Sequence, residues 1–208
     1  MKLGLCIEGS TKEKVADLER ILNEKGYTFL NFGMKNTDNE PQLNYLHTGF
    51  LTALFLNLKI VDFVIGGCGT GQGYMNAVLQ YPGTSCGLIQ DTADAWLFSQ
   101  INAGNIISLS LNKGYGVLGA DILTSHIIEK LFVDKAGMGY PPHRAEIQRS
   151  AKKKLDTLSL TTHLPMEDII GLMDTEILQT SLHFPGIRDM ILSGGEESVL
   201  KERVLSLI

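Results

Sequence analysis

Apolar positions along this chain fall into two alternating rhythms. Residues 2–7 form a short, nearly continuous apolar run. After Gly9, Ser10 and Thr11 the spacing changes to Val15, Leu18, Ile21 and Leu22, the period of a helix that buries one face. The same alternation recurs, with strands predicted over 27–31, 61–65, 84–89 and 105–109 and helices over 45–58, 91–101 and 117–132. A further helix is expected directly after the glycine-rich stretch that follows residue 65.

Strands alternating with helices of this length imply right-handed crossovers and a parallel sheet with helices on both faces. The expected fold is therefore a doubly wound, Rossmann-like five-stranded α/β domain over 1–150, with its ligand crevice at the carboxyl ends of the strands. The pattern breaks at GMGYPPHR, after which 151–208 read as a helical C-terminal extension. Its apolar positions, among them Ile169, Ile170, Leu172, Ile177 and Leu178, suit either covering the sheet domain or packing across an oligomer interface.

Composition narrows the function classes. A chain of 208 residues that is 44% hydrophobic has enough apolar material for one sizeable core. A formal net charge of −5 gives no global field for nucleic acid or anionic lipid. No run approaches a membrane span and the apolar start is too short for a signal peptide, so no membrane association is expected. Three irregularly spaced cysteines, Cys6, Cys68 and Cys86, make neither a disulfide framework nor a zinc site and fit a reducing cytoplasm. His126, His163 and His183 lack ligand spacing, so no metal or cofactor is assigned.

The densest chemical signal is GGCGTGQG at 66–73. Glycine at this density lets a ligand approach main-chain N–H groups, which favour negative charge at the start of a helix. The spacing is neither the dinucleotide fingerprint, since Tyr74 stands where its last glycine belongs, nor a P-loop, which needs Lys and Ser or Thr after the loop. Cys68, inside this loop, is a candidate base or nucleophile because backbone donors can stabilise a thiolate. Cys6 and Cys86, on strands, read as small packing residues.

CGTGQG at 68–73, followed by Asn76, Pro82, Gly83, QDT at 90–92 and INAGN at 101–105, resembles the ribose-5-phosphate isomerase B and galactose-6-phosphate isomerase family over about residues 1–150. The resemblance implies aldose–ketose isomerisation of a sugar phosphate through a cis-enediolate, with Cys68 as general base. It also implies that Thr70 and Asn102 contact the reacting sugar, with Gly69, Gly71, Gln72 and Gly73 around the oxyanion. Either Thr70 or Asn102 would serve equally as a helix cap. Lys113, His143, Arg144 and Arg149 stand where the family gathers its phosphate-binding cations, and family members are homodimers with shared active sites.

The departures matter. Glu8 stands nearest to the family's Asp-His pair after the first strand, with no histidine beside it. Gln90 falls where many members carry the ring-opening histidine, and an amide cannot exchange protons near neutral pH. Asp91, or His47 from the second helix, or reaction of the open-chain sugar would have to compensate. Lys113 replaces an arginine and leaves a point charge in place of a bidentate fork. Lys152, Lys153 and Lys154 read as a solvated helix face. Two alternatives follow: an isomerase or epimerase of an unphosphorylated sugar or other sugar derivative, and a non-catalytic sugar-phosphate-binding module. A cysteine hydrolase ranks below both.

Overall fold

The computed structural model describes residues 1–35, 37, 40–113 and 118–208. Five strands, β1 (Leu3–Ile7), β2 (Phe29–Asn31), β3 (Phe63–Cys68), β4 (Cys86–Ile89) and β5 (Ile106–Ser110), pair in the order β2-β1-β3-β5-β4, all in parallel. The expected α/β architecture is present. The central strands are buried on both faces, as their unbroken apolar runs require.

The chain leaves β1 toward β2 and returns past it to β3, so connections diverge between β1 and β3. In open α/β sheets that divergence opens a crevice at the carboxyl ends. Here Glu8 follows β1 and Cys68 ends β3 at that point.

Two cores flank the sheet. On one face α1 (Val15–Glu24), α4 (Thr92–Leu97) and α5 (Ala120–Phe132) cover Leu5, Ile7, Ile65, Ile107 and Leu109. Helix α4 continues into a π-helical turn, Phe98–Asn102, which completes the helix expected over 91–101. The expected start of α5 at Val117 lies outside the described residues. On the other face α2 (Tyr45–Asn57) and α3 (Gln72–Val78) cover Cys6, Val64 and Cys68.

Beyond residue 144 the extension divides in two. Helix α6 (Ala145–Thr162) has no buried residue and carries Ile147, Leu155, Leu158 and Leu160 exposed. It runs along the β4 edge, where the Ser159 hydroxyl accepts the Gly83 N–H at 3.1 Å. Helices α7 (Met166–Ile170), α8 (Thr175–Leu182), α9 (Ile187–Ser193) and α10 (Val199–Leu205) instead bury Met166, Ile170, Leu178, Leu182, Ile187, Ile191, Leu200 and Val204 in the same core as α2. Helix α2, apolar on nearly every side, is thereby sandwiched between the sheet and the tail.

Candidate active site

Register builds the site. Ile7 pairs with Gly67, which sets Glu8 beside Cys68, and Cys68 pairs with Ser110 on its other flank. Cys68 is buried to 6% exposure at the end of β3, and the chain then turns sharply, with the Gly71 N–H donating to the Cys68 carbonyl at 3.2 Å. Gly71 has φ +74° at the N-cap of α3, a conformation that a Cβ disfavours.

Strand β5 holds the loop from beneath. Ser108 Oγ donates to the Gly71 carbonyl at 2.5 Å and Ser110 Oγ to the Thr70 carbonyl at 2.6 Å. The Thr70 and Gly71 carbonyls are thereby occupied. Among the described residues, the N–H groups of Gly69, Thr70 and Gly73 have no acceptor within the chain. That of Gln72 is taken by Thr70 Oγ1 at 3.3 Å. Free amides beside a thiol match what an enediolate needs: one base and fixed donors where the oxyanion forms.

Two further side chains border the loop that the sequence reading passed over. A Cβ at Gly69 would meet Asn112 Nδ2 at 2.8 Å, and one at Gly73 would meet the Tyr45 ring at 3.1 Å. Both residues are exposed, so an amide and an aromatic ring border the glycine loop. Alternation in SLSLN was the available signal for Ser108 and Ser110, since residues two apart share the face of the strand paired with Cys68.

The remaining candidates are distributed differently. Glu8 is buried, accepts the Ser10 hydroxyl, and stays within the crevice. Gln90 and Lys113 line a cavity of about 250 Å³ with Ile89, Leu109, Ser110 and Leu123, whose lining does not include Cys68 or Thr70. Asp91 caps α4, its Oδ1 accepting the Asp94 N–H at 2.8 Å. His47 is buried, with Nδ1 accepting the Asn44 N–H at 3.0 Å and Nε2 lying 3.3 Å from Glu176 Oε1. The first bond leaves the proton on Nε2, so both ring nitrogens are engaged away from the crevice.

Asn102 ends the π-helical turn at the amino end of β5, roughly 16 Å of strand from Ser110. It lines a groove of about 450 Å³ between β4 and α6, together with Cys86, Leu155 and Leu158. His143, Arg144 and Arg149 are exposed on the turn Pro142–Arg144 and the first half of α6. No described hydrogen bond or ion pair joins them to the loop. Among the described residues no group of three His, Cys, Asp or Glu side chains converges as a metal site.

The family profile described as ribose/galactose isomerase matches residues 8–139, and the chain belongs to that family. Two solved structures are similar over the whole chain. One is a 4-deoxy-L-threo-5-hexosulose-uronate ketol-isomerase complexed with a tartrate, 33% identical, TM-score 0.93, with 100% of this chain and 99% of that one covered. The other is a ribose-5-phosphate isomerase from Vibrio parahaemolyticus, 32% identical, TM-score 0.92, with the same coverage. A ribose 5-phosphate isomerase from Thermotoga maritima, 21% identical with TM-score 0.61, shares the fold over 75% of this chain and 97% of its own. No curated protein matches the chain in sequence.

Proposed function

We propose that this sugar isomerase interconverts an aldose and a ketose, with Cys68 as the general base. The thiolate takes the proton from the carbon beside the carbonyl, the carbonyl oxygen becomes the oxyanion of a cis-enediolate, and the amides of Gly69, Thr70 and Gly73 bind it. Cys68 then delivers a proton, exchangeable with solvent while it rests on the thiol, to the neighbouring carbon, and the hydroxyl proton passes from the second oxygen to the first as the second becomes the carbonyl, with no net redox change. The observation that carries this reading is the buried Cys68 at the carboxyl end of β3, followed by a loop in which the N–H groups of Gly69, Thr70 and Gly73 have no acceptor among the described residues.

With His47 committed to Asn44 and Glu176, and Asp91 to its cap, neither supports ring opening. Reaction of the open-chain sugar is the route favoured.

Sugar phosphates are the first substrate class, with Arg144 and Arg149 of one protomer serving the Cys68 of a second. Their exposure on the turn before α6 and on α6, a helix with no buried residue and an apolar stripe at Ile147, Leu155 and Leu158, supports such a homodimer. A second reading, an unphosphorylated sugar acid, is favoured by the whole-chain similarity to a hexosulose-uronate ketol-isomerase and by Lys113 in place of an arginine fork.

The test is incubation in deuterated water with pentose phosphates, hexose phosphates, free sugars and keto-uronates, followed by NMR. Deuterium beside the carbonyl, lost in Cys68→Ser while circular dichroism is unchanged, is expected. Binding without exchange across the panel would instead favour a non-catalytic module.

A further inference from the structure

Tyr74 is a fully buried polar side chain that the chemistry above does not use. It is among the largest side chains sealed from solvent, and it sits in the first turn of α3, just past the glycine loop. Its ring occupies the space above Gly66, where any Cβ would overlap it. Its hydroxyl lies 2.7 Å from Thr52 Oγ1 on α2. Cys6, beside Gly66 in the sheet register, donates its thiol to the Thr48 carbonyl at 3.6 Å, one turn before Thr52 on α2, and burial raises that thiol to about 12. Tyr74 is itself pushed well above the usual phenol range, by burial first and then by Cys6, Cys86 and Cys68 nearby.

Gly66 and Cys68 are two apart on β3, so both point to the same sheet face. A ring that fills the place of a side chain at 66 stands directly behind the side chain at 68. Tyr74 and Cys68 lie in the same buried cluster.

We propose that Tyr74 is a positioning residue: its ring, seated on Gly66 and pinned by Thr52, closes the core behind Cys68 and holds both the thiol and the first turn of α3 toward the crevice. This deepens the isomerase reading and rests on it for its catalytic meaning. The hydroxyl sets the depth of the ring, since Thr52 is the one hydrogen-bond partner described for it. The ring excludes the inward rotamer of Cys68. A misplacement of even 1 Å at a reacting group is costly to rate, so loss of the ring should act mainly on kcat.

The experiment follows Cys68 directly, without a known substrate. Alkylation by iodoacetamide is quantified by peptide mass spectrometry across pH 6–9, well below each protein's melting temperature, for wild type, Tyr74→Leu, Tyr74→Phe and Thr52→Val. The deuterium-exchange panel is run on the same samples. Tyr74→Leu is expected to alkylate about tenfold more slowly. Tyr74→Phe and Thr52→Val should show the same smaller decrease, and the double variant should be no worse than either single one, because one bond is lost in each. On the best exchanging sugar the loss should fall on kcat with KM little changed.

Lower melting temperatures with alkylation of Cys68 unchanged or faster would overturn the proposal, leaving Tyr74 as core packing. Slowed alkylation in a protein whose wild type exchanges no deuterium would keep the positioning role and remove the isomerase reading. Should Tyr74→Leu fail to fold, Tyr74→Phe and Thr52→Val decide by the same criteria.

Discussion

Ile187 lies in α9, about 115 residues beyond the glycine loop, yet it is fully buried in the core that contains α2 and Cys68. Truncating it to alanine removes three carbons from a closed site, for which isoleucine-to-alanine losses of about 3 kcal/mol are typical. With a urea m-value of about 2.5 kcal/mol/M for a chain of this size, the unfolding midpoint should fall by about 1.2 M. The single tryptophan makes the test sharp. Trp96 sits in α4, across the sheet from the tail, with its indole N–H donating to Asp134 at 2.8 Å and its ring edge-on to Tyr140. If the tail and the sheet domain unfold as one unit, Trp96 fluorescence and far-ultraviolet circular dichroism should both shift by that amount in Ile187→Ala, with coincident curves. A Trp96 transition that stays in place while a separate circular-dichroism transition moves would refute the shared core.

Other expectations follow from local geometry. Gly71→Ala places a Cβ at φ +74°, 2.5 Å from Leu88 Cδ1 and 3.0 Å from Ser110 Oγ. It should cost about 2 kcal/mol and most of the deuterium exchange, and full exchange activity would count against the loop as the oxyanion site. His47→Ala removes a capping box and its bond to Glu176, so thermal unfolding should show a loss of about 1–2 kcal/mol. Because burial holds Cys6 protonated up to about 12 whereas the unfolded thiol ionises near 9, the unfolded state binds fewer protons in that window. The Cys6 contribution is thus complete below pH 9 and lost as pH rises toward 12. Urea titrations should show stability falling with pH above 9 by about 1.4 kcal/mol per unit more steeply in wild type than in Cys6→Ala. Leu155→Glu with Leu158→Glu should convert a dimer to monomer by light scattering and lower exchange, and a wild-type monomer would end the shared-site reading.

The sheet was legible because each strand is a short apolar run closed by Gly, Asn or Asp, and each helix after it changes period. Strand order was not written there. That β5 inserts between β3 and β4 depends on which edges pair, a long-range matter, and it is this order that puts Ser108 and Ser110 under the glycine loop. The role of the tail was half legible. Helix α2 buries nine residues, including His47, Thr48 and Thr52, on opposite sides. A helix apolar all round needs cover on both faces, and one sheet supplies only one. The sequence left the tail's apolar positions open between covering the sheet domain and an oligomer interface; α7–α10 supply that second cover to α2, while α6 has no buried residue.

The site divides along the same line. Gly69, Gly71 and Cys68 were readable because a turn at positive φ and a thiol among free amides are local properties of eight consecutive residues. His47 was not, since a histidine in a capping box and a histidine facing substrate have the same sequence neighbours. Only the positions of Asn44 and of Glu176, 129 residues away, separate the two. Arg144 and Arg149 lie furthest from sequence reasoning: their cations gain meaning from what α6 packs against. Charge supports that logic, for an anion held at the Cys68 loop by amides alone would lack a counter-charge, and Lys113 opens into a different cavity. On the proposed reading a phosphorylated substrate requires the second protomer, whereas a neutral sugar does not. Dilution below the dimer's dissociation constant should abolish exchange with sugar phosphates and spare any exchange with neutral sugars, and equal loss of both would show that the partner completes the catalytic loop itself.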